Sequence, residues 1–336
     1  MSDNKKRILT GDRPTGKLHL GHFVGSLQKR VELQYEYESF IIIADVQALT
    51  THWEKDNRLA QYVQNITADY LAAGLDPNAC TICIQSMIPE IHELTMYFSL
   101  YTSVNVLRHN PTTKAEAAQH GFTDMTYGFL GYPVSQAADI SIFKAHLVPV
   151  GEDQIPHIEL ARKIVRRFND LYAPVLVEPQ ALVSKVPRLV GLDGKNKMSK
   201  SLNNCVYLDD DPKTVQTKIN SAVTDPARIR KTDPGHPEIC TVFEYQKVFN
   251  GNAAEEIETA CRQGQIGCVE CKKKLAAQIN DLLAPMHERR QAYNDPKQVM
   301  EILAHGTQRA RQAAQQTMEE VRAAMSINYF GSNLKH

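Results

Sequence analysis

Over the first 190 residues the spacing of apolar positions switches repeatedly between period two and period 3.6, which predicts alternating strands and helices. A short apolar strand at Ile8-Leu9 breaks at Gly11, turns through Pro14 and Gly16, and gives way to an amphipathic helix after His19-Leu20-Gly21-His22. Phe40 to Ala44 (FIIIA) reads as a fully buried parallel strand that ends at Asp45. Leu59, Tyr62, Val63, Ile66 and Tyr70 recur at helical spacing, with Gly74 as the stop. Cys80 to Ser86 is a further strand. Residues 87 to 131 read as mostly helical, with a mobile polar connection from Asn110 to Thr126. A helix is expected to start at Tyr132-Pro133, placing Tyr132, Gln136 and Asp139 on one face. His146 to Val150 is the next strand, and Gly151-Glu152-Asp153-Gln154 opens a helix to about Phe168.

This alternation predicts an α/β fold with a doubly wound, parallel, Rossmann-type sheet, in which ligands sit at the C-terminal edge of the strands. Beyond Leu208 the β-branched runs disappear, and residues 272 to 325 are rich in Glu, Lys, Arg, Ala and Gln. The expected boundary lies near 206, separating a sheet domain (1–206) from an all-helical one (207–336).

Composition narrows the choice of partners. Lys+Arg and Asp+Glu are both 38, so any nucleic-acid contact must come from local basic patches. The opening MSDNKKR has no apolar signal region, and no run approaches the ~18 apolar residues of a membrane span; the expectation is a cytoplasmic protein with no membrane. Seven cysteines fit reduced thiols or a metal site better than a disulfide framework. Cys80 and Cys83, facing opposite sides of a strand, read as structural thiols.

The glycine-rich strand-to-helix turn around HLGH suits phosphate, because free N–H groups and the positive helix end point into one cleft. Much later comes Lys197-Met198-Ser199-Lys200-Ser201. With HLGH near the start and KMSKS downstream, the chain resembles a class I aminoacyl-tRNA synthetase. GDRPTGKLHLGH, YPVSQAAD, VPVGEDQ and AVTDPARIRKTDPG are similar to words of the bacterial tryptophanyl-tRNA synthetases.

The resemblance implies a homodimer that activates L-tryptophan with ATP and Mg2+ and esterifies tRNA(Trp). It implies catalytic roles for His19, His22, Lys197 and Lys200. It places ATP against Arg13, Pro14, Thr15, Gly21, His22, Gly151, Glu152, Asp153, Leu189 and the five KMSKS residues, Lys197, Met198, Ser199, Lys200 and Ser201. Tryptophan is implied to lie among Leu9, Gln47, Tyr132, Gln136, Asp139 and Gln154, with Asp139 accepting the indole N–H and Tyr132 and Gln154 holding the ammonium. Gln47 and Gln136 depart from the histidine and methionine often found there. That departure keeps a tyrosyl-tRNA synthetase in view, since YPxxQAxD occurs there too. An HxGH-type adenylyltransferase would share the nucleotide turn, and against it stand the helical C-terminal domain and the complete KMSKS; an inactive RNA-binding paralogue should have lost the catalytic words, yet HLGH, GEDQ and KMSKS are all intact.

Cys240, Cys261, Cys268 and Cys271 follow C-x20-C-x6-C-x2-C. By ligand type four thiolates suit zinc or an iron–sulfur cluster equally. Resemblance to a subset of the bacterial enzymes (TDPARIRKTDPG, GCVECKK) implies a 4Fe-4S cluster near the anticodon-binding surface, with Zn2+ as the alternative and Cys205 a substitute for Cys240. Arg228, Arg230, Lys231 and Lys272 to Lys274 are candidate tRNA-phosphate contacts.

Overall fold

The computed structural model describes residues 5–51, 53, 58–183, 189–200, 202–251 and 253–329. Ser201 therefore lies outside the described residues. Among the described residues five parallel strands form the sheet: β1 (Arg7–Asp12), β2 (Glu38–Ile43), β3 (Cys80–Ile84), β4 (Leu147–Val150) and β5 (Gln180–Val183), in the order β3-β2-β1-β4-β5. The chain winds outward from β1 to β3, then returns to place β4 on the other side of β1. A crevice opens where the winding reverses, beyond the C-terminal ends of β1 and β4.

Both faces of the sheet are covered, as the unbroken apolar run in β2 requires. Ile41, Ile43 and Ile82 belong to one core with Leu20, Ile66 and Tyr70. Phe40, Ile42 and Cys83 belong to the other, with Ile91, Phe98 and Ile164. Cys80 and Cys83 fall in different cores, both as free, buried thiols. At Gly11 the strands come so close that a Cβ would stand 2.0 Å from the Ile42 carbonyl oxygen. Only glycine fits there.

Two expectations are corrected. Asn110 to Thr126 contains a helix, Pro111–His120. Asn110 Oδ1 caps it by accepting the N–H groups of Thr112 and Thr113 at 3.0 and 3.2 Å, Pro111 occupies the first turn, and Gly121 ends it at φ 68°. The segment has too few apolar residues to show a helical period, but Asn-Pro at one end and Gly at the other are cap signals. The next helix runs Tyr127–Ile142, beginning at the Thr126 cap and carrying Pro133 inside it.

The helical part does not stand clear of the sheet. The last helix, Pro296–Ala324, returns to cover the β3 edge. Thr307 Oγ1 accepts from Ile84 N at 3.2 Å, and Arg309 donates to the Cys80 carbonyl at 2.9 Å. A strand edge that would otherwise expose its backbone is thereby occupied.

Candidate active site

The crevice holds a cavity of about 310 Å³. All six residues expected for the amino acid line it: Leu9 from β1, Gln47 after β2, Tyr132, Gln136 and Asp139 from one helix face, and Gln154 after β4. Arg13 and Gly151 line it too. A larger cleft of about 690 Å³, between Phe23, Val24, Gln28 and the helical part, shares no lining residue with it.

Asp139 is 3% exposed and is gripped by two amides. Gln47 Nε2 donates to Oδ2 at 2.7 Å, and Gln85 Nε2 donates to both oxygens at 2.9 Å. Burial pushes the carboxyl up to about 8 against the pull of the Gln85 hydrogen bond, and the nearby Asp45 charge adds to the rise. Asp45 itself, at the end of β2, accepts from Ser86 N at 2.9 Å and Ser86 Oγ at 2.5 Å.

At the mouth, Arg13 pairs with Glu116 at 2.6 Å, and the Tyr132 hydroxyl meets His157 Nε2 at 2.9 Å. Burial holds His157 down to about 4. Beneath β1, the buried Arg30 donates to Asp12 Oδ2 at 2.6 Å, and Tyr70 donates to the same oxygen at 2.6 Å. Burial works to raise the Asp12 carboxyl, and Arg30 overcomes it, holding the group well below the usual range.

The two distant loops meet. Residues 205–208 run beside the HLGH turn: Leu20 N donates to Val206 O at 2.9 Å and Leu208 N to Leu18 O at 3.0 Å. This register brings Met198 Sδ 3.3 Å from Gly21 N and Lys200 Nζ 3.1 Å from Gly16 O. Leu189 O accepts from Met198 N at 3.1 Å, so it sits under the same loop. Ser199 N donates to Asn204 Oδ1 at 2.7 Å. The turn at Gly194, φ 68°, joins the arms of this hairpin.

The His19 and His22 rings lie against each other, tilted by 44°, with centroids 3.8 Å apart. Burial, reinforced by His22 and Lys200, lowers His19 to about 2, and burial lowers His22 to about 4 against the pull of Asp12, so both rings are neutral at pH 7. Among the described residues the buried His19 Nδ1 has no hydrogen-bond partner. Burial also lowers Lys200 from the ordinary lysine range. Pro14 and Thr15 line a separate, smaller pocket of about 140 Å³, and Glu152 and Asp153 are exposed.

Several site residues escaped the sequence reading. Gln85 and Ser86 follow β3 as Asp45 follows β2, so the strand-edge rule pointed to them. Glu116 was hidden in the stretch read as a loop, and His157 shows no sequence signal beyond its place after GEDQ.

In the helical part, burial raises Cys240, Cys261 and Cys271, opposed by backbone hydrogen bonds at Cys240, by the Arg228 charge at Cys261 and by the Gln246 hydrogen bond at Cys271. Arg228 Nη1 lies 3.6 Å from Cys261 Sγ and 4.0 Å from Cys268 Sγ. Among the described residues no three His, Cys, Asp or Glu side chains are set at metal-binding geometry. Cys205 is buried beside Tyr207. Arg228 is likewise spent internally, donating to Lys231 O and Ile266 O at 2.6 and 2.7 Å, and is not a free phosphate contact.

A parallel nucleotide-type sheet, an HLGH turn and a lysine-rich loop joined over the same crevice define a class I aminoacyl-tRNA synthetase. Residues 1–284 match the family of class I tRNA synthetases for tryptophan and tyrosine, and the chain belongs to that family. It is 49% identical to the tryptophan–tRNA ligase of Streptococcus pyogenes, covering 97% of this chain and 99% of that one. The tryptophan–tRNA ligase of Clostridium longisporum is 47% identical over 98% and 99%. A crystal structure of the Campylobacter jejuni tryptophanyl-tRNA synthetase, complexed with ADP and tryptophan, superposes with a TM-score of 0.84 at 31% identity, covering 95% of this chain and 99% of that one.

Proposed function

We propose that this protein is a tryptophan–tRNA ligase. The observation that carries the reading is a buried acceptor, Asp139, in a cavity that opens at the strand edge bearing the joined HLGH and KMSKS loops. Indole has one polar atom, an N–H donor, and a buried acceptor left unpaired by phenylalanine is costly. Tyr132 and Gln154 hold the ammonium, with Leu9, Gln47 and Gln136 around the ring.

The substrate carboxylate attacks the α-phosphorus of Mg-ATP; the bond to the bridging oxygen breaks and pyrophosphate leaves. The attacking group is already ionised, so no protein nucleophile is required. Catalysis is positioning and charge stabilisation. Neutral His19 and His22 offer N–H donors without competing charge, and Gly21 leaves room for the nucleotide. Arg13, Pro14, Thr15, Gly151, Glu152, Asp153 and Leu189 complete the ATP contacts. Lys197 and Lys200, with Met198, Ser199 and Ser201, follow the departing pyrophosphate. A hydroxyl at the end of tRNA(Trp) then attacks the adenylate carbonyl, and AMP leaves. Pyrophosphate exchange that depends on tryptophan tests the reading; exchange driven by tyrosine alone overturns it.

Residues 1–206 form the catalytic domain and 207–336 the anticodon-binding one. Met96 on one helix, Leu100 just after it, and Val104 and Val106 on the next are exposed apolar residues, which suits a homodimer. The expected setting is the cytoplasm; among the described residues no helix is long and apolar enough to cross a membrane.

Cys240, Cys261, Cys268 and Cys271 would hold a 4Fe-4S cluster. The donor set fits by ligand type, four thiols with the Arg228 guanidinium near the sulfurs of Cys261 and Cys268 to balance anionic charge, although the described side chains are not set at metal-binding geometry. The cluster would cross-link this segment and stabilise it through coordination. Anaerobic purification should yield iron, inorganic sulfide and broad visible absorbance; colourless protein with stoichiometric zinc reverses the assignment.

A further inference from the structure

Gln85 begins the single helical turn, Gln85–Met87, that follows β3. It is completely buried and does not line the cavity, whereas Gln47 and Asp139 do. Its amide is oriented by two independent contacts. Oε1 accepts the backbone N–H of Gln47 at 3.1 Å, and Nε2 donates to both Asp139 oxygens at 2.9 Å. A flipped amide would set its carbonyl against the carboxylate and leave the Gln47 N–H facing an NH2 group. The next residue, Ser86, holds Asp45 by its N–H and hydroxyl, so one short turn fixes two buried carboxylates.

Asp139 therefore has two kinds of amide partner. Gln47 is in the cavity wall, where a ligand can displace or join it. Gln85 is behind. We propose that Gln85 is a positioning residue for indole recognition: it clamps the Asp139 carboxylate from behind, in one rotamer, and leaves the cavity side of that carboxylate to the substrate N–H. This rests on the reading of Asp139 as the indole acceptor and adds to it the residue that makes the acceptor directional. Because Gln85 presents only donors to Asp139, it favours the charged, acceptor-only form over a protonated one. Its effect is confined to the N–H end of the substrate and does not reach the ATP loops.

The test compares tryptophan with its benzothiophene analogue, in which sulfur replaces the indole N–H. In pyrophosphate exchange, Gln85→Met should lower kcat/KM for tryptophan by about tenfold, the size expected for one charge-assisted hydrogen bond. The loss should fall mainly on the KM for tryptophan, with the KM for ATP and the rates with the analogue nearly unchanged. The preference for tryptophan over the analogue then shrinks by the same factor. Gln85→Leu should do likewise, and it serves where the methionine variant fails to fold. Equal losses with both substrates, or an unchanged preference, overturn the proposal. Asp139→Ala, which leaves no side-chain acceptor, separates the layers: if it keeps the full preference, the indole-acceptor reading itself fails. If it loses the preference while both Gln85 variants keep it, only the clamp fails.

Discussion

Lys200 Nζ donates to the carbonyl oxygen of Gly16 at 3.1 Å, a hydrogen bond across 184 residues of chain. It also reaches Thr15 Oγ1 at 3.3 Å, so the second lysine of KMSKS is tied to the turn that leads into HLGH. Gly16 has φ 120°, a conformation that a side chain would strain. The lysine-rich loop is thus held over the nucleotide turn by contacts that a phosphate could replace.

Lys200→Ala should lower kcat for pyrophosphate exchange by about 10²–10³-fold, the effect of removing one preorganised charge aimed at a developing anion. The KM for tryptophan should change little, because Lys200 does not line the amino-acid cavity. Steady-state exchange kinetics with each substrate varied in turn check this.

Asp139 carries a pH signature. Its folded-state pKa, raised to about 8 by burial, lies above that of the unfolded chain, so the folded state binds the extra proton. Its contribution is most favourable below about pH 4 and is lost as pH rises through about 8. Asp139→Asn should therefore raise the melting temperature, by more at pH 9 than at pH 6, while weakening tryptophan-dependent exchange. Thermal melts at the two pH values read the difference.

The histidines work in the opposite direction. His19, His22 and His157 have folded-state pKa values lowered to about 2, 4 and 4, chiefly by burial. The unfolded chain binds more protons between those values and about 6.5, so stability is full above about 6.5 and declines as pH falls toward 4. The melting temperature should drop between pH 7 and pH 5, and His22→Gln should lessen the drop.

Asp12 and Arg30 form a buried pair whose disruption leaves a charge without its partner. Asp12→Ala should destabilise the protein by about 3–5 kcal/mol, measured by urea unfolding. Gly306→Ala tests the packing of the last helix on β3. Its Cβ would stand 2.0 Å from the Ile82 carbonyl oxygen, so the helix must shift, at a cost of about 1–3 kcal/mol.

Of the basic residues, Lys273 lines an open cleft with Arg230 and Lys231, whereas Lys272 is tied to Asn220 O at 2.7 Å. Replacing Lys272, Lys273 and Lys274 by alanine should weaken tRNA charging and spare tryptophan-dependent exchange. Lys273→Ala alone should account for most of the loss, as aminoacylation at rising salt would show.

The parallel sheet was legible from periodicity, because a strand buried on both faces must be an unbroken apolar run, as at Phe40 to Ala44. The loops that carry phosphate chemistry were legible too, since glycine, histidine and lysine stand there for reasons of backbone room and charge that outlast any context. Sequence did not reveal the helix Pro111–His120, whose caps are clear but whose apolar face is too sparse to register a period. Nor could it show that Gln85 stands behind Asp139, that Glu116 pairs with Arg13, or that the last helix closes the β3 edge. Those relations join residues dozens to hundreds of positions apart, and only the winding of the sheet brings such segments to one edge. Local spacing records what a residue does to its own turn of chain; which distant side chain meets it is decided by packing.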